Sequence, residues 1–520
     1  MGGVLPTMIN GFPLKTAVLS PMLQALASSA TDTDHVLVIV QMNGGNDGVN
    51  TVISLDQNYT NLQAARSNIL IPQAKVLKLN GTNATGLHPA MTDMQNMFNN
   101  GQLRIIQGVS YPQPNFSHFR ATDIWMTGAD SNSVITTGWQ GRYLNYEYPN
   151  FPNGYPNTTM PDPLAIQVGA PATNALEGPF GSMGISITSP TSLYNFVNNI
   201  QDPAPATDAG KELTFIRSVQ RESQAYGSVV KNAYLKGTNI ATYPAKNALA
   251  AQLQIVARLI KGGLKTRVYM VNTAGDGTFD THANQVMASD VTTGVHADRL
   301  GLLSSAIGAF QNDLGKLGIQ DRVLGMTFSE FGRRIKSNTS LGTDHGVGLP
   351  VFVFGTKIVP GILGTNPIIP TAATVNDNVA MQYDFRSVYA SMLKDWFCVS
   401  GTELNTVLMN NFQSLSIVNS PNCLSTSIHE ENVNAGLSII SSYPNPFTFG
   451  TTIEFETIGG HTLIQIFDSE GHLVATPIDA EYIAGKYSIW YNGGHLPRGL
   501  YYTRLQNGAI QQVKALVKAE

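Results

Sequence analysis

His35-Val36-Leu37-Val38-Ile39-Val40-Gln41-Met42 runs directly into Asn43-Gly44-Gly45-Asn46-Asp47-Gly48. A continuous β-branched apolar run that ends in a Gly/Asn/Asp loop predicts a central strand of a parallel sheet, apolar because both faces are covered. Ligands of open α/β sheets bind just outside the carboxyl ends of such strands. The glycine-rich loop is therefore the first place to look for a site.

Working outward, the same pattern recurs. Leu103 to Val109 follows a helical period over Ala90 to Phe98 and opens into Tyr111-Pro112-Gln113-Pro114-Asn115-Phe116-Ser117-His118-Phe119-Arg120; Phe119 to Met126 then reads as helix. Thr266 to Asn272 leads into Gly275-Asp276-Gly277-Thr278-Phe279-Asp280-Thr281-His282, and Arg322 to Phe328 into Ser329-Glu330-Phe331-Gly332-Arg333-Arg334. Val295 to Leu317 carries a helical period, and the apolar run Val351 to Phe354 follows Gly342-Thr343-Asp344-His345-Gly346. Strand, polar loop and helix in this order predict an α/β fold, a mostly parallel sheet sandwiched by helices. Asn145 to Thr207 is rich in Pro, Gly, Asn and Thr without a period and is expected to form a cap on that sheet. From Lys211 to Lys261 the pattern turns helical.

After Cys423 the character changes. Ser425 to Asn434 is polar, and beyond it Thr452–Phe455, Thr462–Phe467, Tyr487–Trp490, Leu500–Leu505 and Gln511–Val517 alternate between Gly-containing turns, which predicts a small C-terminal all-β sandwich. The expected organisation is a leader remnant or N-terminal arm over 1–34, the α/β domain over 35–424, a linker over 425–436 and the sandwich over 437–520. The N-terminal segment ends in Ala25-Leu26-Ala27-Ser28-Ser29-Ala30, like the run before a signal-cleavage site, yet has only Lys15 as a charge before Asp32. An export leader lacking its basic start and an ordinary arm are both open.

The 520 residues are long enough for a large core. Only 13% are charged, about half the usual share. With a net charge of −4 and no basic run, nucleic acid and anionic membrane are excluded as electrostatic partners. No stretch approaches the roughly 18–20 apolar residues of a membrane helix, so a soluble chain without direct membrane insertion is expected. Cys398 and Cys423 either close one disulfide in an oxidising compartment or remain two thiols.

The four loops carry the residue types of metal-assisted phosphoryl or sulfuryl transfer: oxygen and imidazole ligands, a hydroxyl and a cation. Asp280 and His282 are the first candidate ligands, His345 with Asp344 the second and Glu330 the third, while Asn43 and Asp47 offer further oxygens. Ser117 stands before a helix, where free N–H groups favour an anion; with His118 and Arg120 it forms the candidate catalytic group. Each has a plainer reading: Asp280-Thr281-His282 as a capped turn, Ser117 as an N-cap, Glu330 paired with Arg333 or Arg334. The proposal rests on their conjunction at strand ends of one sheet.

These stretches also resemble a family. Gln41 to Asn50, Leu87-His88-Pro89-Ala90, Ser117-His118-Phe119-Arg120 with Asp123-Ile124-Trp125, Thr137 to Arg142, Phe279 to His282, Ser329 to Arg333 and Thr343 to Gly346 are similar to the bacterial domain of unknown function 1501 family, which looks like a branch of the alkaline phosphatase and sulfatase superfamily. The resemblance implies an α/β/α sandwich, Ser117 as nucleophile, Asp280, His282 and His345 on one divalent metal (zinc, magnesium or calcium), and Glu330 near a second. Two departures stand out. Asn43 replaces the usual Asp after the first strand, and Phe331, which cannot ligate, replaces a His. A metal-dependent ester hydrolase and a catalytically silent binding or structural protein on the same scaffold both remain open.

Tyr443-Pro444-Asn445-Pro446-Phe447, Ile466 to Gly471, Ala484 to Tyr487 and Leu496 to Tyr502 resemble the type A C-terminal sorting domain of the type IX secretion system. That implies export through the periplasm to the surface or medium of a Bacteroidota-type cell. The translocon and its shuttle protein would be the partners through residues 437–520. A carbohydrate-binding or adhesion sandwich is the plainer alternative.

Overall fold

The computed structural model describes residues 8–9, 12–13, 34–149, 151–169, 173–190, 207, 226–419, 438–468, 471–507 and 510–519. The chain divides into two compact units, Thr33–Pro421 and Asn422–Glu520 together with Met1–Asp32. Most of the expected leader and all of the expected linker lie outside the described residues.

The first unit is built on nine strands: β1 Val36–Gln41, β2 Leu103–Ser110, β3 Ala165–Val168, β4 Ile185–Ile187, β5 Val268–Asn272, β6 Val323–Phe328, β7 Leu349–Phe354, β8 Gly361–Leu363 and β9 Tyr383–Asp384. Their order across the sheet is β4-β3-β5-β1-β6-β7-β2-β8, with β9 also paired to β2. β1 sits between two parallel neighbours: Val38 faces Tyr269 on β5 and Gly325 on β6. All six of its residues are buried. Its side chains alternate between two cores, as a doubly covered strand requires. Val36, Val38 and Val40 pack on helices α4 Ala248–Lys261 and α5 Val295–Leu317. Leu37 and Ile39 join the core of α2 His118–Thr127, α3 Trp139–Glu147 and α6 Phe385–Ser391. The result is helix layer, sheet, helix layer.

The helices stop and start for local reasons. The Asn247 side chain accepts the Ala250 N–H at 2.8 Å and caps α4. α5 covers the expected Val295 to Leu317 and ends on Gly318 in the left-handed region. A further helix, α1 Thr92–Asn99, packs beside α5.

Two expectations are corrected. The Asn145–Thr207 stretch is not only a cap, since β3 and β4 within it extend the sheet in parallel. They are four and three residues long, too short to show a period among prolines and glycines. The helical reading of Lys211 to Lys261 holds for 226–236 and for α4, with a non-helical stretch between; 211–225 lies outside the described residues. In addition, β7 runs antiparallel to both β6 and β2. Its amino end therefore lies at the edge where the parallel strands end.

In the second unit Met8–Ile9 pairs with Phe12–Pro13, and Asn422–Glu520 carries seven described strands: β10 Ser438–Tyr443, β11 Gly450–Thr457, β12 Gly460–Phe467, β13 Leu473–Tyr482, β14 Gly485–Asn492, β15 Gly499–Asn507 and β16 Ile510–Lys518. These seven form two antiparallel sheets, β10-β11-β14 and β13-β12-β15-β16. Ile453 and Phe455 from one sheet and Ile464, Ile466, Leu505 and Leu516 from the other share one core, the packing of a sandwich. Cys398 is disulfide-bonded, and Cys423 lies outside the described residues. No described helix is long and apolar enough to cross a membrane.

Candidate metal centre

Five loops reach one edge of the large sheet. Those after β1, β2, β5 and β6 arrive because these strands run the same way, and the loop before β7 arrives because that strand runs the other way. Glycine lets the loops after β1 and β5 pack tightly. Gly44 has φ +114°, and a Cβ there would lie 2.1 Å from Thr278 Oγ1 and 2.4 Å from the Asp280 nitrogen. Phe279 N–H donates to the Asn43 carbonyl at 2.7 Å. Gly332–Arg333 pairs with His345–Gly346 in a short antiparallel ladder, which ties the β6 loop to the histidine loop.

Arg333, fully buried, joins these loops. It donates to Gly45 O at 2.7 Å, Gly44 O at 2.5 Å, Thr343 O at 2.9 Å and Asp280 Oδ1 at 2.6 Å. Burial acts to raise the Asp280 carboxyl, but the Arg333 guanidinium, with His282 and His345 beside it, holds the group below its ordinary value. Asp280 is thus an ionised acceptor.

Three imidazoles surround it. His118 Nε2 is 3.4 Å from Asp280 Oδ2, while His282 Nε2 and His345 Nε2 lie 3.2 and 3.3 Å from Asp280 Oδ1. His282 Nε2 and His345 Nε2 are 2.9 Å apart. His118, Asp280 and His345 offer ligand atoms all within 4.8 Å of one another.

Each ring is gripped at its other nitrogen. His345 Nδ1 meets the Phe116 carbonyl at 2.8 Å, His282 Nδ1 meets Asp344 Oδ1 at 3.0 Å, and His118 Nδ1 meets Glu330 Oε1 at 2.8 Å. A carbonyl can only accept, so Nδ1 of His345 carries the proton and Nε2 of the neutral ring presents its lone pair. Burial, with Arg333 adding to it, keeps His345 below the usual imidazole range. The Asp344 carboxylate orients His282 in the same sense. Two lone pairs and a carboxylate oxygen aimed at one another across about 3 Å repel unless a cation lies among them. Metal-bound imidazoles donate their second N–H to a carboxylate or carbonyl in this manner. Ligands about 2.0–2.1 Å from a tetrahedral ion lie about 3.3 Å apart, close to the observed separations. The donor set therefore fits one divalent ion.

The remaining candidates divide. Glu330 is 4% exposed and reaches the cluster through His118 and through Gly44 N–H at 2.8 Å. Its hydrogen bond raises the His118 imidazole above its ordinary value. Asn43 Oδ1 is buried and finds no donor among the described residues. Phe331 lies against His118 and His345, with ring centroids 4.9 and 4.3 Å away, so apolar surface fills one flank of the cluster.

Asp47 does not join the cluster. It is fully buried against Arg66 at 2.8 Å, with Gln285 donating to the same oxygen at 2.6 Å. Arg120 likewise points its donors elsewhere, to Asp123 and to the carbonyls of Asp130, Ser131 and Ser133.

Ser117 occupies the N-cap position of α2, but its hydroxyl makes no capping bond. It is exposed, and the residues on either side of it, Phe116 and His118, both touch the cluster. A groove of about 370 Å³ opens beside His282 and His345, lined also by Phe116, Arg334, Asp344 and Asn376. Arg334 spends its Nε on the His345 carbonyl at 3.2 Å. The sequence offers it only as an ion-pair partner for Glu330; the short ladder with His345 is what brings it to the groove.

The family model described as protein of unknown function (DUF1501) matches residues 34–396, and the model described as secretion system C-terminal sorting domain matches residues 441–519. No curated protein matches the chain. Similar solved structures include a Bacteroides thetaiotaomicron chain described with the metabolism of multiple glycosaminoglycans (10% identity, 89% of this chain and 90% of that one, TM-score 0.33). Others are a sulfatase from Pseudoalteromonas sp. (10%, 91% and 88%, 0.31) and alkaline phosphatase from the Antarctic bacterium TAB5 (11%, 62% and 91%, 0.25). These likenesses are too distant to carry an argument about the site.

Proposed function

We propose, from the premise that this chain belongs to the DUF1501 family and is exported cargo of the type IX secretion system, that its α/β unit is a divalent-metal-dependent hydrolase of phosphate or sulfate esters. The observation that carries this reading is the set of three Nε2 atoms turned onto Asp280, each ring held from behind by Glu330, Asp344 or the Phe116 carbonyl. His118, Asp280, His282 and His345 are the residues that would hold the ion. When bound, such an ion polarises an ester oxygen and lowers the pKa of water.

The chain's own groups supply the rest. Ser117 Oγ is the attacking hydroxyl, free of a capping bond at the start of α2. The unpaired N–H groups of the first helical turn favour the spare oxygens of the anion. Arg334, on the wall of the groove, takes the anion-binding role first expected of Arg120. Phe331 in place of a ligand supports one ion rather than two.

The test is elemental analysis of the full-length protein combined with turnover of aryl phosphates and aryl sulfates. About one divalent ion per chain is expected, lost in His282→Ala, with turnover lost in Ser117→Ala. No bound ion and no turnover would overturn the proposal. A bound ion without turnover favours the second reading, a binding protein that has kept its metal, for which Phe331 and Asn43 are the motive.

A further inference from the structure

A second cleft, of about 810 Å³, opens between α1, α5 and the Thr242–Pro244 segment. Its wall includes Gln102, just before β2, and Gln320, before β6. It therefore lies at the amino edge of the sheet, opposite the histidine cluster, and is independent of the reading given above. Its volume is within the usual range for ligand sites and far above the roughly 30 Å³ a water takes in the liquid.

The lining is dominated by amides: Asn96, Asn100, Gln102, Gln311, Asn312 and Gln320. Gln311 is the telling one. It is only 3% exposed, and neither its Nε2 nor its Oε1 has a partner among the described residues. Burying an amide with both ends unpaired costs free energy, and such a group calls for a partner beyond the protein's own polar atoms. The wall is also preformed. Asp313 accepts from Tyr243 Oη at 3.1 Å, Ile240 N at 2.8 Å and Ala241 N at 2.9 Å, which fixes the loop carrying Tyr243.

Charge narrows the ligand. One acid, Asp93, and one base, Lys316, line the cleft, so neither a polyanion nor a metal ion is favoured. Apolar lining is limited to residues such as Met97 and Pro244, too little for a lipid chain. Amides donate and accept from the same side chain, and a ligand that does the same along its length is a chain of hydroxyls. We propose that this cleft binds a neutral carbohydrate chain, with Gln311 as its buried anchor.

The experiment is calorimetric titration of the full-length protein with neutral gluco-, xylo-, manno- and galacto-oligosaccharides at low and high salt. At least one should bind with an affinity that salt leaves unchanged. Gln311→Leu, which removes the unpaired amide without opening a cavity, should weaken binding roughly tenfold or more while leaving turnover of small aryl esters unchanged. Asn312→Ala, at the exposed rim, should weaken it less. Absence of binding by every neutral oligosaccharide, binding untouched by both variants, or binding only of a charged sugar that salt abolishes would each overturn the proposal.

Discussion

Arg333 is the residue on which the site's geometry depends most. Its guanidinium is buried and donates to carbonyls of three loops, those of Gly44 and Gly45, Phe279 and Thr343, besides holding Asp280 ionised. Arg333→Ala strands those carbonyls and leaves Asp280 without its charge partner. A loss of about 3 kcal/mol in unfolding free energy is expected by denaturant titration, together with loss of bound metal. Glu330 acts differently, because it orients His118 rather than joining loops. Glu330→Gln retains an acceptor for Gly44 N–H but removes the charge behind the imidazole. Metal affinity should fall about 10- to 100-fold with little change in unfolding midpoint; equal loss of both would assign Glu330 a purely structural role.

Elements carry the next two expectations. β6 crosses the sheet centre with Gly325, where a Cβ would lie 2.0 Å from the ring of Phe354 on the neighbouring strand. Gly325→Ala overpacks this crossing, and a loss of about 1–3 kcal/mol is expected by denaturant unfolding. Behind the first loop, His88 and His296 are buried edge to face, 5.8 Å apart. Burial pushes them down to about 3 and about 4. Both folded values lie below the unfolded 6.5, so the unfolded chain binds more protons in between, and their contribution is complete above that pH and lost as pH falls through it. Between about pH 6.5 and 5, above the carboxylate range, each should cost about 2 kcal/mol of stability. His296→Gln should remove about half of that fall in a pH series of urea midpoints; an unchanged slope would count against this account.

At the scale of the whole molecule, the sorting domain and the α/β unit have separate cores. Deleting Leu437 to Glu520 should leave the α/β unit folded and held in the periplasm, as read by fractionation and by an unchanged thermal transition of the retained protein. The truncated chain reaching the surface at normal levels would contradict it. The sorting address was legible in full, because its motifs are contiguous. The site was legible only in its parts. His282 and His345 stood out beside acids and glycines, whereas His118 was read as catalytic, since nothing in Ser117-His118-Phe119 announces that its ring reaches Asp280. Arg334 stood out only as an ion-pair partner for Glu330.

What the sequence determined by itself was local: the strands β1, β5 and β6, readable because long apolar runs are buried on both faces, the helix α5 from its unbroken period, and the loops rich in His, Asp and Gly. The short strands β3 and β4 carry too few residues to show a pattern. The reversed direction of β7 was also decided only in three dimensions, because direction is set by which neighbours a strand pairs with. That reversal delivers His345 to the edge where Asp280 and His118 arrive from other strands. Which side chains face one another across 3 Å depends on loops far apart in the chain, and only packing of the whole sheet brings them together.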